Sequence, residues 1–110
     1  PYFNSFAMDI CLIDPRWNGV FRSKKIADLA EIYGYNVAPH NFGSPLSSLM
    51  TAHFCASITN LKIMEYDVDD VPWRDDTVTN PPVIKDGCMS LPAGIGWGAD
   101  LNEEEILKHG

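Results

Sequence analysis

The chain has 110 residues, with 15 Asp and Glu against 8 Lys and Arg and a formal charge of −7. That length allows one small domain, and the acidic balance argues against nucleic acid and anionic membrane surfaces as partners, because both are held through a basic footprint. The apolar runs stop far short of the ~20 residues that cross a bilayer, and the chain opens at Pro1 with no basic-then-apolar signal segment.

Residues 1–7 read as the tail of an element that begins before Pro1. A short apolar run, Ile10-Cys11-Leu12-Ile13, predicts a strand ending at Asp14. Asp14-Pro15 then breaks the chain and Asn18-Gly19 turns it. A helix is predicted from about Phe21 to Tyr33, with Ile26, Leu29, Ala30 and Tyr33 as its buried stripe, Lys24 and Asp28 paired on the wet side, and Gly34 as terminator. Asn36-Val37-Ala38-Pro39 is a second strand ending at His40. Ser44-Pro45 has the cap and first-turn proline of a helix start. That helix, running to about Ser57, is apolar enough to be buried between layers. Leu61-Lys62-Ile63-Met64 is a third strand, ending at Glu65. Beyond it the periodicity stops. Residues 67–82 form an acidic, proline-bearing loop, Asp86-Gly87 predicts a tight hairpin, and glycines 94, 96 and 98 crowd a connection. Asn102 with Glu105 resembles a capping box for a last short helix.

Three strands thus deliver one ionisable residue each, Asp14, His40 and Glu65, spaced by 26 and 25 positions with a helix in each gap. Strand-helix-strand units of that size make parallel pairs through right-handed crossovers. Residues just past parallel strands converge on the carboxyl edge of the sheet, where such proteins do their chemistry. Asp14, His40 and Glu65 are therefore the candidate catalytic residues, and Asn41, beside His40, is a candidate substrate contact. Trp17 and Trp73 suit either a pocket wall or ordinary packing.

Other groups read more plainly. His53, inside an apolar helix, is expected to be packed and hydrogen-bonded rather than a ligand, and His109 belongs to a fraying end. The cluster of Asp67, Asp69, Asp70, Asp75 and Asp76 lacks the spacing and turn glycine of a calcium loop and reads as solvated, although Asp67 is close enough to Glu65 to approach the site mouth. Gly94-x-Gly96-x-Gly98 lacks the strand-to-helix context of a phosphate loop. Cys11, Cys55 and Cys88 are odd in number, widely spaced and set among apolar neighbours. They read as buried free thiols in a reducing, cytoplasmic setting.

The strings IADLAEIYGYNVAPHN, LKIMEYD and DGCMSLPAGIGWGADLNEEEI resemble the mandelate racemase/muconate lactonizing enzyme family of the enolase superfamily, in order and over nearly the whole chain. The resemblance implies an α/β fold: the C-terminal portion of a TIM-type (β/α)7β barrel, plus a tail that returns to an α+β capping domain. Residues 1–66 would be the last β/α units, with the three strands as the sixth, seventh and eighth, and 67–110 the returning segment. It also implies an Asp14–His40 dyad that moves a proton at the carbon next to a substrate carboxylate. Glu65 would hydrogen-bond that carboxylate as it becomes an enediolate, with Mg²⁺ offsetting the charge. The family's metal ligands and its lysine base lie on earlier strands, so they are expected upstream of Pro1 and no metal ligand is expected here.

The sequence departs from the family pattern at Asn18-Gly19, where a Gly-Gly pair is usual, and at Pro15, Ile95 and Trp97. Those departures indicate a divergent subgroup whose substrate is not to be borrowed. The expected activity is Mg-dependent dehydration of a sugar acid, a lyase reaction, with racemisation or epimerisation of a 2-hydroxy acid as the isomerase alternative. A homo-oligomer acting on a small carboxylate is expected. From a different class, a non-catalytic α/β interaction module would share the same motifs.

Overall fold

The computed structural model describes residues 1–68 and 71–109. Its framework is a parallel pair, β1 (Ile10–Ile13) and β2 (Asn36–Pro39), in the register Ile10 to Asn36 through Ile13 to Pro39. Along β1 the side chains alternate, as a pleated strand requires: Cys11 and Ile13 are buried, whereas Ile10 and Leu12 stand on a bare face. The expected third strand is an extended segment held by one parallel bridge, Val37 to Leu61, and by backbone bonds from Lys62 N to Val37 O and Glu65 N to Pro39 O. Its outer edge pairs with no described strand, and no longer ladder forms. Asn60 anchors its entry, donating through Nδ2 to the carbonyls of Ala27 and Tyr35.

The predicted break at Asp14-Pro15 is instead a helix start. Asp14 caps α1 (Pro15–Asn18), accepting from the backbone N–H groups of Arg16 and Trp17, with Pro15 in the first turn. There its missing N–H costs nothing and its fixed φ suits the helix. After Gly19 the chain re-enters a helix, α2 (Val20–Ile32), which Gly34 ends. At φ +78°, Gly34 donates to Glu31 O while Tyr35 N reaches Ala30 O, a left-handed cap that suits glycine. The buried line of α2 is Ser23, Ala27 and Ala30, rotated from the predicted one: Leu29 and Tyr33 are partly exposed. Small residues let the helix axis approach the sheet, and the larger Ile26 packs at the edge of the contact. α3 (Pro45–Ala56) is capped by Ser44 and largely buried, as its composition predicts. The core joins Cys11, Ile13, Ala27, Ala30, Tyr35, Val37, Phe54 and Cys55. Burial raises the thiol pKa of Cys11, and that of Cys55 to about 11, which keeps both unreactive.

The carboxyl-terminal segment is differently made. A 3-10 turn (Asp75–Thr77) interrupts the acidic loop. The hairpin of β3 (Val83–Lys85) and β4 (Cys88–Ser90) turns at Asp86 and Gly87, both at positive φ. Cys88 is exposed there rather than buried as expected, because the hairpin leaves both its faces uncovered. The glycine-rich stretch is a tight connection that lays Trp97 against α3, its carbonyl 3.3 Å from His53 Nε2. The return is pinned by the Val78–Leu101 bridge before α4 (Glu103–His109). Asn102 Oδ1 accepts from Glu105 N, but the Glu105 side chain turns to Lys108 and His109, so only half of the capping box forms. His109, expected at a loose end, stacks its ring on Trp73 with centroids 4.0 Å apart and planes nearly parallel. Asp69 and Asp70 lie outside the described residues. The Cα radius of gyration, 15.2 Å, exceeds the ~13 Å of a compact chain of this length. Among the described residues no helix is long and apolar enough to cross a membrane.

Candidate active site

The parallel register brings the strand ends together. His40 N donates to Ile13 O at 2.8 Å and Glu65 N to Pro39 O, so Asp14, His40 and Glu65 line one edge. Asp14 and His40 directly follow their strands, and Glu65 lies four residues past the bridge residue Leu61. Asp14 Oδ2 lies 2.8 Å from His40 Nδ1, and His40 Nε2 lies 3.7 Å from Glu65 Oε2. The three predicted residues therefore form one chain of contacts, carboxylate to imidazole to carboxylate, with the ring between them.

Asp14 is almost fully buried, and its carboxylate is crowded with donors. Oδ1 accepts from the backbone N–H of Arg16 at 2.8 Å, and Oδ2 accepts from Arg16 Nη2 at 3.0 Å. Burial by itself disfavours the charged form, but hydrogen bonds from Arg16 and His40 outweigh it and lower the Asp14 pKa to about 2. The carboxylate is thus ionised throughout the working range. A fixed acceptor at Nδ1 keeps the imidazole proton on that nitrogen and leaves Nε2 for chemistry. His40 is one-third exposed, and the Trp17 ring stands 6.0 Å from it, itself open to solvent.

Asn41, expected to touch substrate, is fully buried. Its backbone N–H donates to Glu65 Oε2 at 2.8 Å, and its Nδ2 donates to Ser48 Oγ and to the Glu65 carbonyl. Thr51, one turn along α3 from Ser48, donates to Asn41 Oδ1. Sequence reading missed Ser48 and Thr51 because they sit in a helix that reads as uniformly apolar. It also missed two arginines. Arg16 carried no signal beyond following Asp14-Pro15. Arg74, buried in the acidic loop, donates to Tyr66 Oη at 2.8 Å and to Gly43 O at 2.9 Å, joining the loops that carry His40 and Glu65. Asp67 is buried beside Tyr66 and Arg74 in a small pocket rather than at the site mouth.

The sequence pattern of the enolase C-terminal domain-like family matches residues 1–105. The chain belongs to that family. It is 36% identical over 104 residues to the D-xylonate dehydratase of Haloferax volcanii, covering 94% of this chain and 25% of that protein. A solved structure from Burkholderia xenovorans, provisionally named L-alanine-DL-glutamate epimerase and bound to magnesium and fumarate, superposes with a TM-score of 0.95 at 43% identity, covering 99% of this chain and 27% of that one. A mandelate racemase/muconate lactonizing enzyme-like protein from Rubrobacter xylanophilus superposes at 0.88 with 34% identity, covering 97% and 28%. This chain therefore spans about a quarter of the length of these relatives.

The family accounts for the bare sheet face. These strands are the carboxyl-terminal part of a TIM-type barrel, and Leu12 with Ile63 are branched side chains of the kind that fill a barrel interior. Among the described residues no group of three His, Cys, Asp or Glu could hold a metal ion.

Proposed function

We propose that this chain supplies the acid–base half of an enolising active site. His40 would transfer a proton through Nε2, Asp14 would hold the ring and offset its positive charge, and Glu65 would meet the substrate carboxylate as charge builds on it. The observation that carries this is the Asp14–His40–Glu65 alignment, with 2.8 Å on the Nδ1 side and 3.7 Å on the Nε2 side. The longer gap leaves Nε2 uncommitted to a tight partner, as a proton-transfer atom should be. Asn41 becomes a positioning residue: it holds Glu65 at the edge instead of contacting substrate.

For the whole protein we infer dehydration of a sugar acid. His40 Nε2 takes the proton beside the carboxylate, and the resulting imidazolium gives it to the hydroxyl on the following carbon, which leaves as water. Support comes from the relative named D-xylonate dehydratase and from an imidazole whose Nε2 faces the site edge, 3.7 Å from Glu65. Magnesium, which the Burkholderia xenovorans structure holds, would be bound by residues outside this chain and would offset charge on the carboxylate. Epimerisation is the second reading, favoured by the name of that structure at 43% identity; it requires a second base facing His40. Residues 67–110 would pack on the barrel and a capping domain, and two buried free thiols fit a reducing, cytoplasmic setting.

The test uses the full-length protein with Mg²⁺ and a panel of sugar acids in deuterated water. Loss of water with a new keto group supports dehydration; solvent deuterium at the α-carbon with inverted configuration and no water loss supports epimerisation. Neither reaction across sugar and amino-acid-derived carboxylates would overturn the enzymatic reading and leave an interaction module.

A further inference from the structure

Asp14 Oδ2 has two claimants. His40 Nδ1 lies 2.8 Å from it and Arg16 Nη2 3.0 Å, while Arg16 also donates to Oδ1 through its backbone N–H at 2.8 Å and its Nε at 3.4 Å. One buried negative charge therefore faces a permanent cation and an imidazole together. The structure makes room for this arrangement. A methyl group at Gly43 would occupy the space of Arg16 Nη1 and press on Ser47 Oγ, although the Gly43 backbone is not among those at positive φ. The bare glycine, three residues past His40, is a slot for the guanidinium. The charged groups that the structure gives around the His40 ring are Asp14 and Arg16 from the β1–α1 junction and Glu65 from the third segment.

We propose that Arg16 is a positioning residue that divides the charge of Asp14 with His40 and so sets the pH at which the imidazole gains its proton. An Asp–His pair alone favours the imidazolium, because the carboxylate pairs fully with it. A guanidinium on the same oxygen spends part of that attraction and repels the second cation, so the ring releases its proton more readily. Such a ring is a better acid toward a departing hydroxide than the bare pair. The catalytic consequence rests on the proposed role of His40; the electrostatic one does not.

The experiment is a pH titration of histidine ring resonances in the full-length protein, with the His40 signal assigned by its loss in H40N, alongside the pH profile of α-proton exchange. R16Q removes the charge and R16K keeps it. We expect the His40 midpoint to rise in R16Q and to stay near wild type in R16K. The low-pH limb of exchange should follow the same order. G43A, which displaces the guanidinium tip without deleting it, should move the midpoint in the same direction by less, and it serves if R16Q fails to fold. An unmoved midpoint in R16Q and G43A, or equal movement in R16Q and R16K, overturns the proposal. A moved midpoint with exchange intact in H40N would uphold the charge division and sink the catalytic role of His40 instead.

Discussion

The chain up to Glu65 and the segment beyond it are built on opposite principles. The first closes a core within itself: every residue of the main cluster, from Cys11 to Cys55, lies there, and helices cover one face of the strands. The second contributes Val78 as its one well-buried apolar side chain among the described residues, while β3 is exposed throughout and Ile95 stands wholly in solvent. Both are rich in backbone hydrogen bonds, so regular structure alone does not separate them. What differs is apolar area removed from water within the chain, the main source of folding free energy. The first region brings Asp14, His40 and Glu65 together; the second leaves most of its apolar side chains uncovered.

The largest expected effect lies in the first region. H40N or H40A in the full-length protein should lower α-proton exchange by about 10²–10⁴-fold with an unchanged circular dichroism spectrum; wild-type exchange would remove His40 from its role. Phe54, 1% exposed in the core, should cost about 3–5 kcal/mol when cut to alanine, measured by denaturant unfolding. A much smaller loss would show that the core lies elsewhere. Hydrogen exchange on the isolated 110-residue chain sharpens the contrast: amides of β1, β2 and α3 should be the slowest, and those of β3 and β4 near the rate of free peptide. Protection spread evenly would break the comparison.

D14N should weaken catalysis on the order of 10²-fold by disturbing the ring's proton. It also carries a stability signature. The folded pKa of Asp14 is lowered from 3.8 to about 2, so its contribution of about 2 kcal/mol is present above pH ~4 and lost as pH falls toward 2. Acid unfolding curves of wild type and D14N should therefore converge in that window. The smallest effect is expected at Gly34, where alanine must adopt φ +78° at a cost of about 1 kcal/mol, read as a lowered unfolding midpoint.

Local chemistry carried much of this into the sequence. Ser44-Pro45 capped its helix, Gly34 ended another, and Asp86-Gly87 turned its hairpin, because each rests on the φ preference or hydrogen bonding of one or two residues. The meeting of Asp14, His40 and Glu65 was legible too, since strand length, crossover length and handedness leave parallel strand ends few other places to go. The register of burial was not. The inward line of α2 fell on Ser23, Ala27 and Ala30 because close approach to the sheet rewards small side chains, which hydrophobicity does not rank. Nor was the company of each site residue. Asn41 faced inward to Ser48 and Thr51, Arg16 shared an oxygen with His40, and Arg74 joined Tyr66 to Gly43, which lies 31 residues before the arginine. Those partnerships are set by which donors and acceptors the packed helices leave without water, and that is decided only when the chain has folded.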